Sequence, residues 1–111
     1  MDLLGWLKSL FSKRHKALRM YKRGMSRANK HDHLGALADY TAAIESPDLP
    51  TDVRAMALYN RALVYVAVGN EPQGVVDLDA VLAMTQAFVN VKTMARRKLA
   101  RMESRAVKTN P

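Results

Sequence analysis

His31, Asp32 and His33 stand side by side, and imidazole and carboxylate are groups that bind a divalent cation or move a proton near neutral pH. Two alternate histidines with no third one close by, in a chain without cysteine, fall short of the ligand set of a zinc site. The triplet therefore reads as a break between helices. Asp77 and Asp79 are carboxylates with no nucleophile or histidine spaced to work with them, and no glycine-rich phosphate loop occurs. No cofactor, metal or catalysis is expected, so the chain reads as a non-enzyme. The densest chemistry is cationic: Arg96, Arg97, Lys98, Arg101 and Arg105 would pair with carboxylates or phosphates. A solvated helix face is the commoner meaning of such a run, which leaves an RNA-binding module as the third-ranked function.

Aligning those cations takes a helix, and most of the sequence carries that pattern. Apolar residues recur three and four apart, glycine is scarce and strict alternation is rare, so the expected fold is all-α. Helices are expected at about 13–30, 34–45, 51–68, 71–84 and 91–107. Ser46-Pro47 and Pro50 stop the second, Thr51 with Asp52 suits the cap and first turn of the third, Gly69-Asn70 ends it, and Pro72 fits the first turn of the fourth.

A length of 111 residues with 49% hydrophobic and 25% charged side chains is that of one globular domain. Its expected parts are a segment 1–16, a helical domain 17–107 and a frayed tail 108–111. The absence of cysteine fits a reducing compartment, and the opening apolar run is far shorter than the roughly 20 residues that span a bilayer. The cytoplasm is the expected location, with attachment to a membrane surface as the alternative. A net charge of +8 favours acidic partners.

The chain also repeats itself. Gly24, Ala62 and Ala100 are 38 residues apart, and the same offset pairs Ala17 with Ala55, Tyr21 with Tyr59, Arg23 with Arg61, Val53 with Val91, Met56 with Met94 and Ala57 with Ala95. Small residues in the middle of paired helices allow close approach, and repetition at such a period is the mark of stacked helical units. The stretch Leu58-Tyr59-Asn60-Arg61-Ala62-Leu63-Val64-Tyr65, followed by Gly69-Asn70, resembles the first helix and turn of a tetratricopeptide repeat. Gly24, Ala36, Tyr40, Ala43 and Pro47 fall where that family places small, small, aromatic, small and helix-ending residues, while Gly35 and Asp39 read as fillers between them. The resemblance covers residues 17 to 88 as two repeats and makes the last helix a cap. The family period of about 34 residues is exceeded here, which puts extra residues into the loops 47–54 and 85–91. Gly74, Leu78 and Val81 depart from the pattern of the second repeat.

What the resemblance implies is a peptide-binding concave face presenting Tyr21, Lys22, Met25, Asn29, Tyr59, Asn60, Leu63, Arg97, Lys98 and Arg101. The implied role is a non-catalytic protein-interaction module, an adaptor or assembly factor, for a protein or peptide with acidic character. Asn60 and Lys98 match the carboxylate clamp that some members use on chaperone tails, but Tyr21 and Met25 replace its first-helix lysine and asparagine, so chaperone-tail binding is not implied. Ahead of the repeats, Leu3, Trp6, Leu7, Leu10 and Phe11 form one side of an amphipathic helix with Lys8, Lys13, Arg14 and Lys16 beside it. That apolar side must be covered by a membrane surface, by this chain or a second copy in a homo-oligomer, or by another protein. A peripheral membrane scaffold anchored there is the second-ranked function.

Overall fold

Short polar side chains set the helix starts. Asp2 accepts from the Gly5 amide at 3.0 Å, Asp32 from Gly35 at 3.1 Å and Asn70 from Gln73 at 3.4 Å, each satisfying an amide that the first helical turn leaves unpaired. The computed structural model describes residues 2–85 and 87–109, with the side chain of Thr109 excepted. They form α1 (Leu3–Asn29), α2 (His33–Glu45), α3 (Thr51–Ala67), α4 (Glu71–Ala83) and α5 (Val89–Thr109), with no strand among them.

Thr51 does not cap α3. It is the first helical residue, Pro50 holds the cap position without a side-chain bond, and the opening helical bond runs from the Arg54 amide to the Pro50 carbonyl at 2.8 Å. Asp52 does lie in the first turn and Pro72 in that of α4. The boundary drawn at residue 16 falls inside α1, which is continuous. Of the tail 108–111, Lys108 and Thr109 continue α5, and residues 110 and 111 lie outside the described residues.

Each helix packs on its sequence neighbour, and α3 also touches α1 and α5. Tyr40, Ala36 and Val64 form one buried cluster; Ala17, Ala43, Leu49 and Ala57 form a second; Leu78, Val81, Val91, Ala95 and Met102 gather around α3 in the largest. Leu49, although in a loop, is only 4% exposed and plugs the gap between α1, α2 and α3. The loop is held over it by Arg54, which donates to the carbonyls of Ile44 and Ser46 at the carboxyl end of α2, where a cation is favoured.

The helices of the first pair are unequal. α1 has 27 residues and α2 has 13, so at about 1.5 Å per residue some 20 Å of α1 runs on past its partner. The radius of gyration is 16.0 Å, against about 13 Å for a compact chain of this length, and the longest dimension is 66 Å. No described helix is long and apolar enough to cross a membrane.

Candidate interaction clefts

Two ion pairs on buried carboxylates fix the helices from which the clefts are made. Asp39 on α2 is 3% exposed and receives Arg23 through Nε at 2.9 Å and Nη2 at 2.8 Å, with Arg27 Nη1 at 3.0 Å. The hydrogen bonds from Arg23 outweigh burial and hold the Asp39 carboxyl below its ordinary value. Asp77 on α4, 2% exposed, receives Arg61 through Nε at 2.7 Å and Nη2 at 2.8 Å. These two-pronged contacts match a planar guanidinium to a carboxylate. Arg61 also donates to Thr41 at 3.1 Å and lies over the ring of Tyr65, so α3 is tied backwards to α2 as well as forwards to α4. Asp39 is therefore no filler. Arg23 and Arg61, like Asp39 and Asp77, are 38 residues apart, and this shared offset was the signal that could have revealed both pairs.

The turn from α1 to α2 is built by His31, whose φ of 61° is left-handed; its counterpart after α3 is Gly69, at 85°. The His31 and His33 rings meet edge-on with centroids 6.0 Å apart. Among the described residues no three histidine or acidic side chains gather as a metal site would require.

Between this turn, α1 and α3 lies a cleft of about 400 Å3, lined by Met25, Ala28, Asn29, His31, His33, Tyr40, Asn60, Leu63, Val64 and Ala67. Four of the residues expected on the concave face, Met25, Asn29, Asn60 and Leu63, meet here. Asn60 donates to the Tyr21 hydroxyl at 3.2 Å. Burial raises the affinity of the Tyr21 phenol for its proton, and the bond from Asn60 partly opposes that. Tyr21 in turn lines a second cleft, about 250 Å3, with Asp52, Val53, Met56, Phe88, Asn90 and Val91. The single groove expected from the sequence is thus two clefts that share the Tyr21–Asn60 bridge. Tyr40 supports the first from beneath, its ring 6.1 Å from that of Tyr21, and burial pushes its phenol up to about 12.

Other expected residues lie elsewhere. Tyr59, 9% exposed, belongs to the core rather than to an open floor, because it sits where α3 meets the cluster shared with α5. Lys22 is exposed on α1. Arg97 and Arg101 are exposed and Lys98 half-buried on α5; burial, with Arg105 and Arg101 adding to it, lowers the affinity of Lys98 for its proton. Leu3, Trp6, Leu7, Leu10 and Phe11 are all exposed, so the described residues leave most of this amino-terminal apolar side open, with Leu7, Leu10 and Phe11 bordering the 47–51 loop.

Compared with known proteins, the chain matches no family model, no curated protein and no solved structure.

Proposed function

We propose that the protein is a non-catalytic interaction module of the cytoplasm, built as two tetratricopeptide-like helical pairs closed by α5, that binds a protein segment between α1 and α3. The observation that carries this reading is the 400 Å3 cleft, where the apolar Met25, Leu63 and Val64 are flanked by the amides of Asn29 and Asn60. Such a mixture suits an extended or helical peptide, with adaptable methionine and leucine contacts for its side chains and amides for its backbone. The repeated Arg–Asp pair supports the two-unit architecture. On α5 the position matching Gly24 and Ala62 is Ala100, which is exposed together with Arg96 and Glu103, as suits a terminal cap. Arg97, Lys98 and Arg101 on α5 lie outside this cleft and would meet only an acidic partner long enough to extend beyond it.

Photocrosslinking tests the reading directly. A photoreactive residue at position 63 should trap a discrete partner in cells, whereas one at the exposed Val76 on α4 should not. Leu63→Glu should abolish capture from position 29 with helicity unchanged, and Lys98→Glu with Arg101→Glu should weaken it. Equal trapping from positions 63 and 76 would place binding on another surface.

A further inference from the structure

The first half of α1 is the largest surface the clefts leave unexplained. Leu3, Leu4, Trp6 and Phe11 are 65%, 70%, 58% and 63% exposed, and Leu7 and Leu10 remain more than one-third exposed. At 3.6 residues per turn these six side chains fall within an arc of roughly 160°. Lys13 borders that arc beside Trp6, while Lys8 and His15 border it beside Leu4 and Phe11. The carboxylate in this half-helix region is Asp2, which is engaged in capping the Gly5 amide.

We infer that this overhang docks on an anionic lipid surface, with its apolar arc in the acyl boundary and its cations among the headgroup phosphates. Charge decides the occupant. Two overhangs packed face to face would bring Lys8, Lys13, Arg14 and Lys16 of each copy together with only Asp2 and the loop's Asp48 to offset them, whereas an anionic surface is complementary to both borders at once. Lysine stems at the edge of an apolar arc reach outward to phosphates while their methylenes stay on the hydrocarbon side. The loop also dictates the approach. Leu7, Leu10, Phe11 and Arg14 share a cleft of about 540 Å3 with residues 47–51, so the loop lies on the same side as the apolar arc and would meet the headgroups first. The overhang therefore enters obliquely, Leu3, Leu4 and Trp6 deepest, with Lys13 and Arg14 nearer the surface.

The test uses the full chain and vesicles of phosphatidylcholine, with or without roughly one-third phosphatidylglycerol. The protein should float with the anionic vesicles at least tenfold more than with the neutral ones, less so at high salt. Trp6, the sole tryptophan, should shift its emission to the blue only when they are added. Leu3→Glu with Leu4→Glu alters exposed side chains, so it should keep the circular dichroism and lose flotation; Lys8→Glu with Lys13→Glu, one on each border of the arc, should weaken flotation about tenfold. The inference is overturned if anionic vesicles neither float the protein nor shift Trp6, or if the Leu3/Leu4 variant floats like the parent. It is equally overturned if Trp6 is already blue-shifted in a dimer seen by sedimentation equilibrium and indifferent to vesicles, which would make this face an interface between copies.

Discussion

The helix pairs α1–α2 and α3–α4 share the same ionic pair at the same separation but distribute volume across their crossings in opposite ways. In the first, Gly24 faces Tyr40, and a Cβ at position 24 would stand 2.8 Å from two ring carbons. In the second, the matching positions are Ala62 and Leu78, and the glycine has moved to the other helix: a Cβ on Gly74 would meet Val66 Cγ2 at 2.9 Å and the Ala62 carbonyl oxygen at 3.2 Å. The repeat therefore keeps a charge pair and a close crossing rather than a residue pattern. Either helix can supply the small residue, provided that the facing one supplies the bulk.

The ionic pairs differ more in consequence than in geometry. The Arg61 side chain is 16% exposed and that of Arg23 is 51% exposed, with Arg27 as a second donor to Asp39. Arg61→Met leaves Asp77 buried without its cation and should cost about 3–5 kcal/mol. Arg23→Met leaves Asp39 still held by Arg27 and should cost clearly less, because the Arg23 side chain stands largely in solvent. Urea unfolding of the two variants measures the contrast. Equal losses would mean that the second arginine of the first pair contributes nothing. Arg61→Met combined with Asp77→Leu should recover most of the loss, since a well-packed apolar pair can replace a buried ionic one.

The crossings can be exchanged as well. Gly24→Ala presses on a ring that is 2% exposed and should destabilise by about 1–3 kcal/mol, less up to about 1 kcal/mol returned by the better helix propensity of alanine. Adding Tyr40→Leu makes the first crossing resemble the second, so the double variant should be more stable than the sum of the single effects predicts. Gly74→Ala should destabilise as well, because it would press on a methyl of the β-branched Val66 and on the backbone carbonyl of Ala62. Simple additivity of Gly24→Ala and Tyr40→Leu in thermal melts would show that this contact does not determine the crossing.

The sequence made the helices legible because their apolar spacing and their glycine and proline stops are local signals. It also made the close crossings legible, since Gly24 and Ala62 appear at a fixed offset. Asp39 was passed over because a carboxylate on an otherwise apolar helix resembles a solvated residue until the arginines 16 and 12 positions earlier are known to fold onto it. The hydroxyl of Thr51 suits a cap, but the chain places the cap one residue sooner, at Pro50, and starts the helix at Thr51. The continuity of α1 was hidden because residues 2–16 have their own amphipathic pattern, which says nothing of whether a neighbouring helix is long enough to cover it. Of the expected groove, Met25, Asn29, Asn60 and Leu63 were reachable from helical register, but the partition at Tyr21 depends on a hydrogen bond between residues 39 apart.

Acid should probe the Asp39 pair more gently than mutation. Hydrogen bonds from Arg23 lower the Asp39 value from 3.8, so the native state holds this carboxylate ionised where the unfolded chain would already protonate it. The stability this supplies is fully present above the ordinary carboxylate value and is lost as the pH falls through the lower folded one. The stability gap between the parent and Asp39→Asn should therefore be constant near neutral pH and narrow below about pH 4. General repulsion in this cationic chain grows in both proteins alike and largely cancels in the difference. A gap that stayed constant down to pH 2 would mean that Asp39 contributes by shape rather than by charge.

The smallest expected difference lies in the turns. His31 and Gly69 occupy matching positions 38 residues apart, both with positive φ, at 61° and 85°. A side chain with a Cβ pays roughly 1–2 kcal/mol in that region, and glycine pays nothing there but gives the unfolded chain more freedom, worth about 0.4–1 kcal/mol. The two terms oppose each other, and the conformational one is larger. His31→Gly should thus stabilise the protein by about 0.5–1 kcal/mol, whereas Gly69→Ala should destabilise it by about 1 kcal/mol. Opposite signs in paired chemical melts are the expected result. The His31 ring also lines the cleft, so His31→Gly would enlarge that site while steadying the turn beneath it. If His31→Gly instead weakened the fold, the edge-on contact of its ring with His33 would be contributing more than the backbone conformation costs, and the first turn would be held by side chains where the second is held by glycine.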